Sequence, residues 1–210
     1  MRIWLLIGPE ARSTERVMRV LADKRRQLAR KGVLVPQSPG RVNHARLVMA
    51  FGAPDRPDPL RLARGVATPD AQAALRATLM SDLAREITAA RPEVLILGAH
   101  QLAGWMTGAS ERAALIRALR GLSSDLRLLA LWDSPARMAL HHFAQALLEG
   151  RATGLDRELA LCDAPGFHDR ALADMPPDAP ARGVFGPVQA PAFWLDAAGL
   201  ARAWEAEAGP

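Results

Sequence analysis

The chain has 210 residues, 50% hydrophobic, 23% charged and 5% aromatic, with a formal net charge of +5. This length suits one domain with a small appendage and a core that needs no disulfide or metal staple, and the composition excludes collagen-like, low-complexity and wholly disordered classes. A single cysteine, Cys162, excludes a disulfide framework and a cysteine-based zinc site, and the longest apolar runs fall far short of the roughly 20 residues that cross a bilayer.

Arg2 to Ile7 is a short apolar run stopped by Gly8-Pro9, which predicts a buried strand ending in a turn. A helix is expected from Thr14 to Lys31, with Val17, Val20, Leu21 and Leu28 on its inner face, Ser13 or Thr14 as cap and Gly32 just past its end. Residues 33–35 read as a second strand closed by Pro36, and Asn43 to Phe51 as a short helix. Residues 52–67 carry Pro54, Pro57 and Pro59 and read as a loop. Thr68-Pro69 opens a long helix with Leu75, Leu79, Leu83 and Ile87 along its buried side, ended by Arg91-Pro92. Residues 94–98 form a third strand, continuously apolar as if covered on both faces. A helix from Ser110 to Leu122, a strand over 126–132 and a helix from Pro135 to Gly150 follow. Beyond residue 151 a helix around Leu155 to Leu161, a proline-rich irregular stretch over 174–192 and a terminal helix from Ala197 to Ala208 are expected. Strands alternating with helices predict an α/β fold with a central parallel sheet flanked by helices. The expected organisation is an α/β domain over residues 1–172, with a proline-rich segment and C-terminal helix over 173–210 packed on or near it.

In open parallel sheets ligands bind beyond the carboxyl ends of the strands. The first such loop reads Gly8-Pro9-Glu10-Ala11-Arg12-Ser13-Thr14. Backbone N–H groups at the following helix start, two hydroxyls and the Arg12 charge suit an anion. The Gly-Lys pair and spacing of a Walker A loop are absent.

Here the chain resembles the bacterial sulfotransferase-like family, whose first strand runs into a loop of the form I-G-x-x-K-T-G-T-T. In this chain Ile7 to Glu15 falls on that pattern, with Gly8 and Thr14 matching, Ala11 at the lysine, Ser13 at the loop glycine and Glu15 at the final threonine. The likeness continues through Gly32-Val33-Leu34-Val35-Pro36, then Asn43-His44, and through Val94 to Leu102. The family also carries a strand ending in Arg, a Pro two residues on, and a Ser eight residues after the Arg, which hold the cofactor's 3′-phosphate. Here Asp133, Pro135 and His141 occupy those places. The resemblance covers roughly residues 2–150 and implies a three-layer P-loop-like domain. It implies 3′-phosphoadenosine 5′-phosphosulfate as cofactor, with Gly8, Arg12, Ser13, Thr14 and His141 around it, and a hydroxyl-bearing acceptor such as a carbohydrate. His100, just past the third strand, matches the place where several sulfotransferases carry a catalytic-base histidine, and an imidazole suits removal of the acceptor proton.

Charge opposes the nucleotide. Ala11 and Asp133 stand where the resemblance expects Lys and Arg, so binding of the donor is expected to be weak or absent, with Arg12 and Arg137 the available compensators. Two further readings of the chain therefore stay beside sulfuryl transfer: a degenerate sulfotransferase-fold binding or interaction module, and a basic protein contacting nucleic acid through arginine. For the last no recognition motif is visible, tyrosine is absent, and an Ala-rich, Arg-rich composition suits coding bias as well as it suits a nucleic-acid surface. Other candidates have ordinary roles to hand: His141-His142 as one buried and one exposed residue, Glu15 as a complement to the helix dipole, and Trp105, Trp132 and Trp194 as core. No metal site, membrane span or secretory signal is read, and a cytoplasmic location is expected.

Overall fold

The computed structural model describes residues 1–9, 11–54, 59–106, 108–148 and 197–209. The elements are β1 (Arg2–Leu6), α1 (Ala11–Asp23), α2 (Arg25–Ala29), β2 (Val33–Leu34), α3 (Arg46–Phe51), α4 (Pro59–Ala63) and α5 (Pro69–Ala90). Then come β3 (Val94–Gly98), α6 (Gln101–Trp105), α7 (Ala109–Arg120), β4 (Asp125–Leu129), α8 (Pro135–Leu148) and α9 (Ala197–Ala208). The strands form one sheet in the order β2-β3-β1-β4, and every pairing is parallel. The register sets Leu5 between Leu97 and Leu128, and Leu6 between Gly98 and Leu129.

Successive strand residues face opposite sides. Ile3, Leu5 and Ile7 of the first strand and its extension, with Leu95 and Leu97 of β3, are buried in the main core. There they join α3, α5, α6, α7 and α9 through residues such as Leu47, Leu79, Leu102, Leu115 and Trp204. The other face is covered less. Met18 of α1 sits over Gly98 and Leu6, where an added Cβ on Gly98 would lie 2.9 Å from Met18 Sδ. On the same face Trp4 and Leu129 remain 37% and 41% exposed, so the apolar run of β3 is not equally covered on both sides.

Local signals explain several boundaries. Thr68 Oγ1 accepts from the Ala71 N–H at 3.2 Å, and Pro69 takes the first helical position where no N–H is needed. Arg91 adopts φ 46°, a left-handed conformation, and with Pro92 it ends α5. Other expectations need correction. The first helix begins at Ala11 rather than Thr14, so Thr14 is an interior residue and not a cap. It is interrupted at Lys24, and α2 follows as a separate short helix. Its buried residues are Thr14 and Met18, whereas Val17 and Val20 are exposed. The loop expected over 52–67 contains α4, and β4 ends at Leu129, so residues 130–132 are not strand. The helix expected at Leu155 to Leu161 and the irregular stretch over 174–192 lie outside the described residues.

Candidate functional site

Three chain segments meet at the carboxyl end of the sheet. Backbone pairing continues past the strands: Ile7 N–H donates to the Leu129 carbonyl at 2.8 Å, and Ala99 N–H to the Leu6 carbonyl at 3.3 Å. This brings Gly8, the start of α1 and His100 into one neighbourhood.

Gly8 is buried because Thr14 folds back over it. A Cβ on Gly8 would lie 1.6 Å from Thr14 Oγ1, and Thr14 itself is 1% exposed. Gly8 is therefore required by close approach, and the Thr14 hydroxyl is turned toward the protein. Arg12 and Ser13 lie exposed on the first turn of α1. Among the described residues of this loop, Arg12 and Ser13 are the exposed polar ones.

His100 precedes α6 at its N-cap position, but its side chain makes no cap hydrogen bond. Instead Nδ1 lies 3.4 Å from Glu15 Oε1, with the imidazole 13% exposed and the carboxylate 48% exposed. Glu15 is the fifth residue of α1, beyond the first turn, so its partner is His100 rather than the helix dipole.

His44 is a residue that sequence reasoning passed over. It is fully buried. Its backbone N–H donates to the Gly98 carbonyl at 3.0 Å, and its Nδ1 accepts from the Gly98 N–H at 3.2 Å. That tautomer leaves the proton on Nε2, which has no hydrogen-bond partner. Burial, reinforced by the nearby Arg25 charge and opposed by the Pro36 carbonyl, pushes the imidazole down to about 3. Asn43 Nδ2 donates to Gln101 Oε1 at 2.9 Å, so residues 43–44 grip the turn that carries His100 from both sides. Arg25 donates to the carbonyls of Val35, Pro36 and Arg41, fixing the segment that leads to His44, and burial lowers the affinity of its guanidinium for a proton. The only sequence signal for His44 was its place after the Gly32–Pro36 strand.

The region after β4 does not converge on the same group. Asp133 Oδ2 lies 3.7 Å from Arg137 Nη1, and Asp133 Oδ1 accepts from the Ser134 N–H at 2.7 Å. His141 is half-buried on α8, two turns beyond. At the positions that the resemblance pairs with nucleotide phosphates, residue 133 is a carboxylate, Ala11 carries no charge, and the Thr14 hydroxyl faces Gly8. Among the described residues no group of three or more His, Cys, Asp or Glu is placed to hold a metal ion, and no helix is long and apolar enough to cross a membrane. Comparison of the chain with protein-family models, curated protein sequences and solved structures finds no match in any of the three.

Proposed function

We propose that this chain is a sulfotransferase-like α/β protein whose contacts to a nucleotide donor have eroded, and which serves as a binding module at the carboxyl end of the sheet, near Arg12, Ser13 and His100. The observation that carries this reading is residue 133: where the resemblance expects an arginine for the 3′-phosphate, a carboxylate stands instead, 3.7 Å from the exposed Arg137 guanidinium. A three-layer arrangement is inferred as well. Right-handed crossovers send the β1-to-β2 connection toward one sheet face and the β2-to-β3 and β3-to-β4 connections toward the other. Helix contacts agree with that assignment, since α1 touches α2 and α8, while α3 touches α5, α6 and α7.

A second reading, sulfuryl transfer to a hydroxyl, is favoured by one observation. His100 and Glu15 form an imidazole–carboxylate pair at the end of β3, suited to accept a proton from an acceptor hydroxyl. Because the nucleotide contacts are unfavourable, this reading ranks below the first.

Calorimetry with 3′-phosphoadenosine 5′-phosphosulfate, its desulfated product and inorganic sulfate separates them. Each missing charge-assisted contact is worth about 1.5–3 kcal/mol, so two lower affinity by about two to four powers of ten. Wild type is expected to bind neither nucleotide tightly, and Ala11→Lys with Asp133→Arg is expected to gain measurable binding. Micromolar or tighter binding of the donor by wild type would overturn the eroded-site reading and put sulfuryl transfer first.

A further inference from the structure

The positive charge of this chain is gathered on one helical segment, on the less covered face of the sheet. Residues 11–31, which span α1, α2 and the two residues after it, hold eight of the 27 basic residues and two of the 22 acidic ones. They carry a net +6, and the rest of the chain nets −1 within the total of +5. Both lysines of the chain, Lys24 and Lys31, lie here as well. Coding bias raises arginine along a whole chain. It does not leave charge balanced everywhere else and gather the lysines in one place.

Helix geometry sorts these residues into two adjacent stripes. The Lys24 N–H donates to the Val20 carbonyl at 3.1 Å and the Leu28 N–H to the Lys24 carbonyl at 2.9 Å, so the helical period runs across the break between α1 and α2. Arg12, Arg16, Arg19, Arg26 and Arg30 recur at steps of three, four or seven residues, which keeps them on one face about 27 Å long at 1.5 Å per residue. Val17, Val20, Lys24 and Lys31 form the stripe beside it. Each of these residues is exposed, Val17 by 37% and Val20 by 54%, whereas Thr14 and Met18 are the buried side of α1.

The acidic groups nearby do not cancel this charge. Glu15 is turned to His100, at 3.4 Å. Asp23 interrupts the arginine stripe, and its charge acts with that of Glu86 on Arg25, whose guanidinium is tied to backbone carbonyls. Glu93 packs beside Gly32, past the far end. Among the described residues none of Arg16, Arg19, Lys24, Arg26, Arg30 and Lys31 forms an ion pair. Exposed cations with two exposed valines among them suit a partner that is anionic and has an apolar layer just beneath its charge. A nucleic acid meets only the first condition. Neither α1 nor α2 carries an aromatic side chain for base stacking, and valines add nothing to phosphate contact.

We propose that the α1–α2 face docks on an anionic lipid bilayer. The helix lies in the plane of the surface, with its arginines and lysines on the headgroups and Val17 and Val20 entering the interface. The protein rests on the membrane and does not span it.

Flotation of the full chain with phosphatidylcholine vesicles, with and without about 30% phosphatidylglycerol, tests this. Binding is expected to the anionic vesicles only, and it should weaken as salt rises from about 0.05 to 0.5 M. Each cation near such a surface is worth about fivefold in partition, so Arg16→Gln with Arg19→Gln, and separately Lys24→Gln with Arg26→Gln, should each weaken binding about 25-fold. Arg64→Gln with Arg117→Gln removes the same charge from exposed positions outside the face and should change binding less than about twofold. Val17→Ser with Val20→Ser keeps every charge and should weaken it about threefold or more. Circular dichroism checks that each variant is folded. All of them retain Arg12, Ser13 and His100, so the result is independent of any binding at the carboxyl end of the sheet. No binding to anionic vesicles, equal binding to neutral ones, or an equal loss from the Arg64 and Arg117 pair would each overturn the proposal. Unchanged binding after the valine substitutions, or tighter binding to a short DNA duplex than to the vesicles, would overturn it in favour of a nucleic acid.

Discussion

Acidification should destabilise this protein through one histidine. The His44 imidazole is neutral in the fold, with its affinity for a proton lowered to about 3 from 6.5, mainly by burial. In the unfolded chain it titrates near the ordinary value, so the unfolded state binds more protons as pH falls. The stabilising contribution is complete above about pH 6.5 and is lost progressively as pH falls toward 3. The whole shift corresponds to about 5 kcal/mol at 1.36 kcal/mol per unit. Between pH 6.5 and 4.5 the expected loss is about 2 kcal/mol. Asp125, whose carboxyl is lowered chiefly by its hydrogen bond from Arg2, acts in the same direction but below its ordinary value of 3.8, outside that window. The assay is urea unfolding by circular dichroism across this range, for wild type and His44→Gln. The glutamine amide oxygen can still accept from the Gly98 N–H but does not titrate. Groups common to both chains cancel in the difference, so the gap between the two curves isolates His44. It should close by about 2 kcal/mol on going from pH 6.5 to 4.5. Parallel curves would refute the reasoning. A histidine NMR titration of wild type provides a second reading: the His44 ring should stay neutral at pH 5, and protonation there would equally refute it.

Gly8→Ala should cost at least about 3 kcal/mol, because a Cβ 1.6 Å from the buried Thr14 hydroxyl cannot be accommodated without moving α1. Thr14→Ala in the same chain should recover part of that loss, and a Gly8→Ala variant within about 0.5 kcal/mol of wild type would show that the loop is not packed this way. Arg112 is buried and donates to the carbonyls of Ala203 at 3.0 Å and Met106 at 3.1 Å, so it ties α9 to the α6–α7 turn. Arg112→Met keeps most of the apolar stem but strands two acceptors, at an expected cost of about 2–3 kcal/mol. Amide hydrogen exchange in α9 should accelerate in that variant, and unchanged protection would show that Arg112 does not anchor the helix.

Much of the architecture was legible because its signals are local. The apolar runs of β1 and β3 end at glycines within a few residues, and Thr68-Pro69 caps α5 through a contact three residues away. The bounds of α9 follow from an alanine-rich helical segment stopped by Gly209 at φ +70°. The alternation of strand and helix then led to a parallel sheet by connection length alone. Likewise His100 stood out as a titratable residue at a strand end. Glu15 did not stand out as its partner, because a position in α1 does not reveal which strand the helix crosses.

What the tertiary structure decided were the pairings between distant residues. The sequence of α1 offers Val17, Val20 and Leu21 as readily as Met18, and packing over Gly98 and Leu6 is what buries Met18 and leaves Val17 and Val20 outside. His44 acquires its character from Gly98, 54 residues away, and Arg112 from a carbonyl 91 residues away. A cavity beside Trp132 and Trp204 exists only because α9 returns to the end of β4. Hydrophobic burial is non-directional, so an apolar pattern states that a face is covered without naming its cover. Caps and turns are written in neighbouring residues, whereas partners across the sheet are set by which chain segments arrive there together.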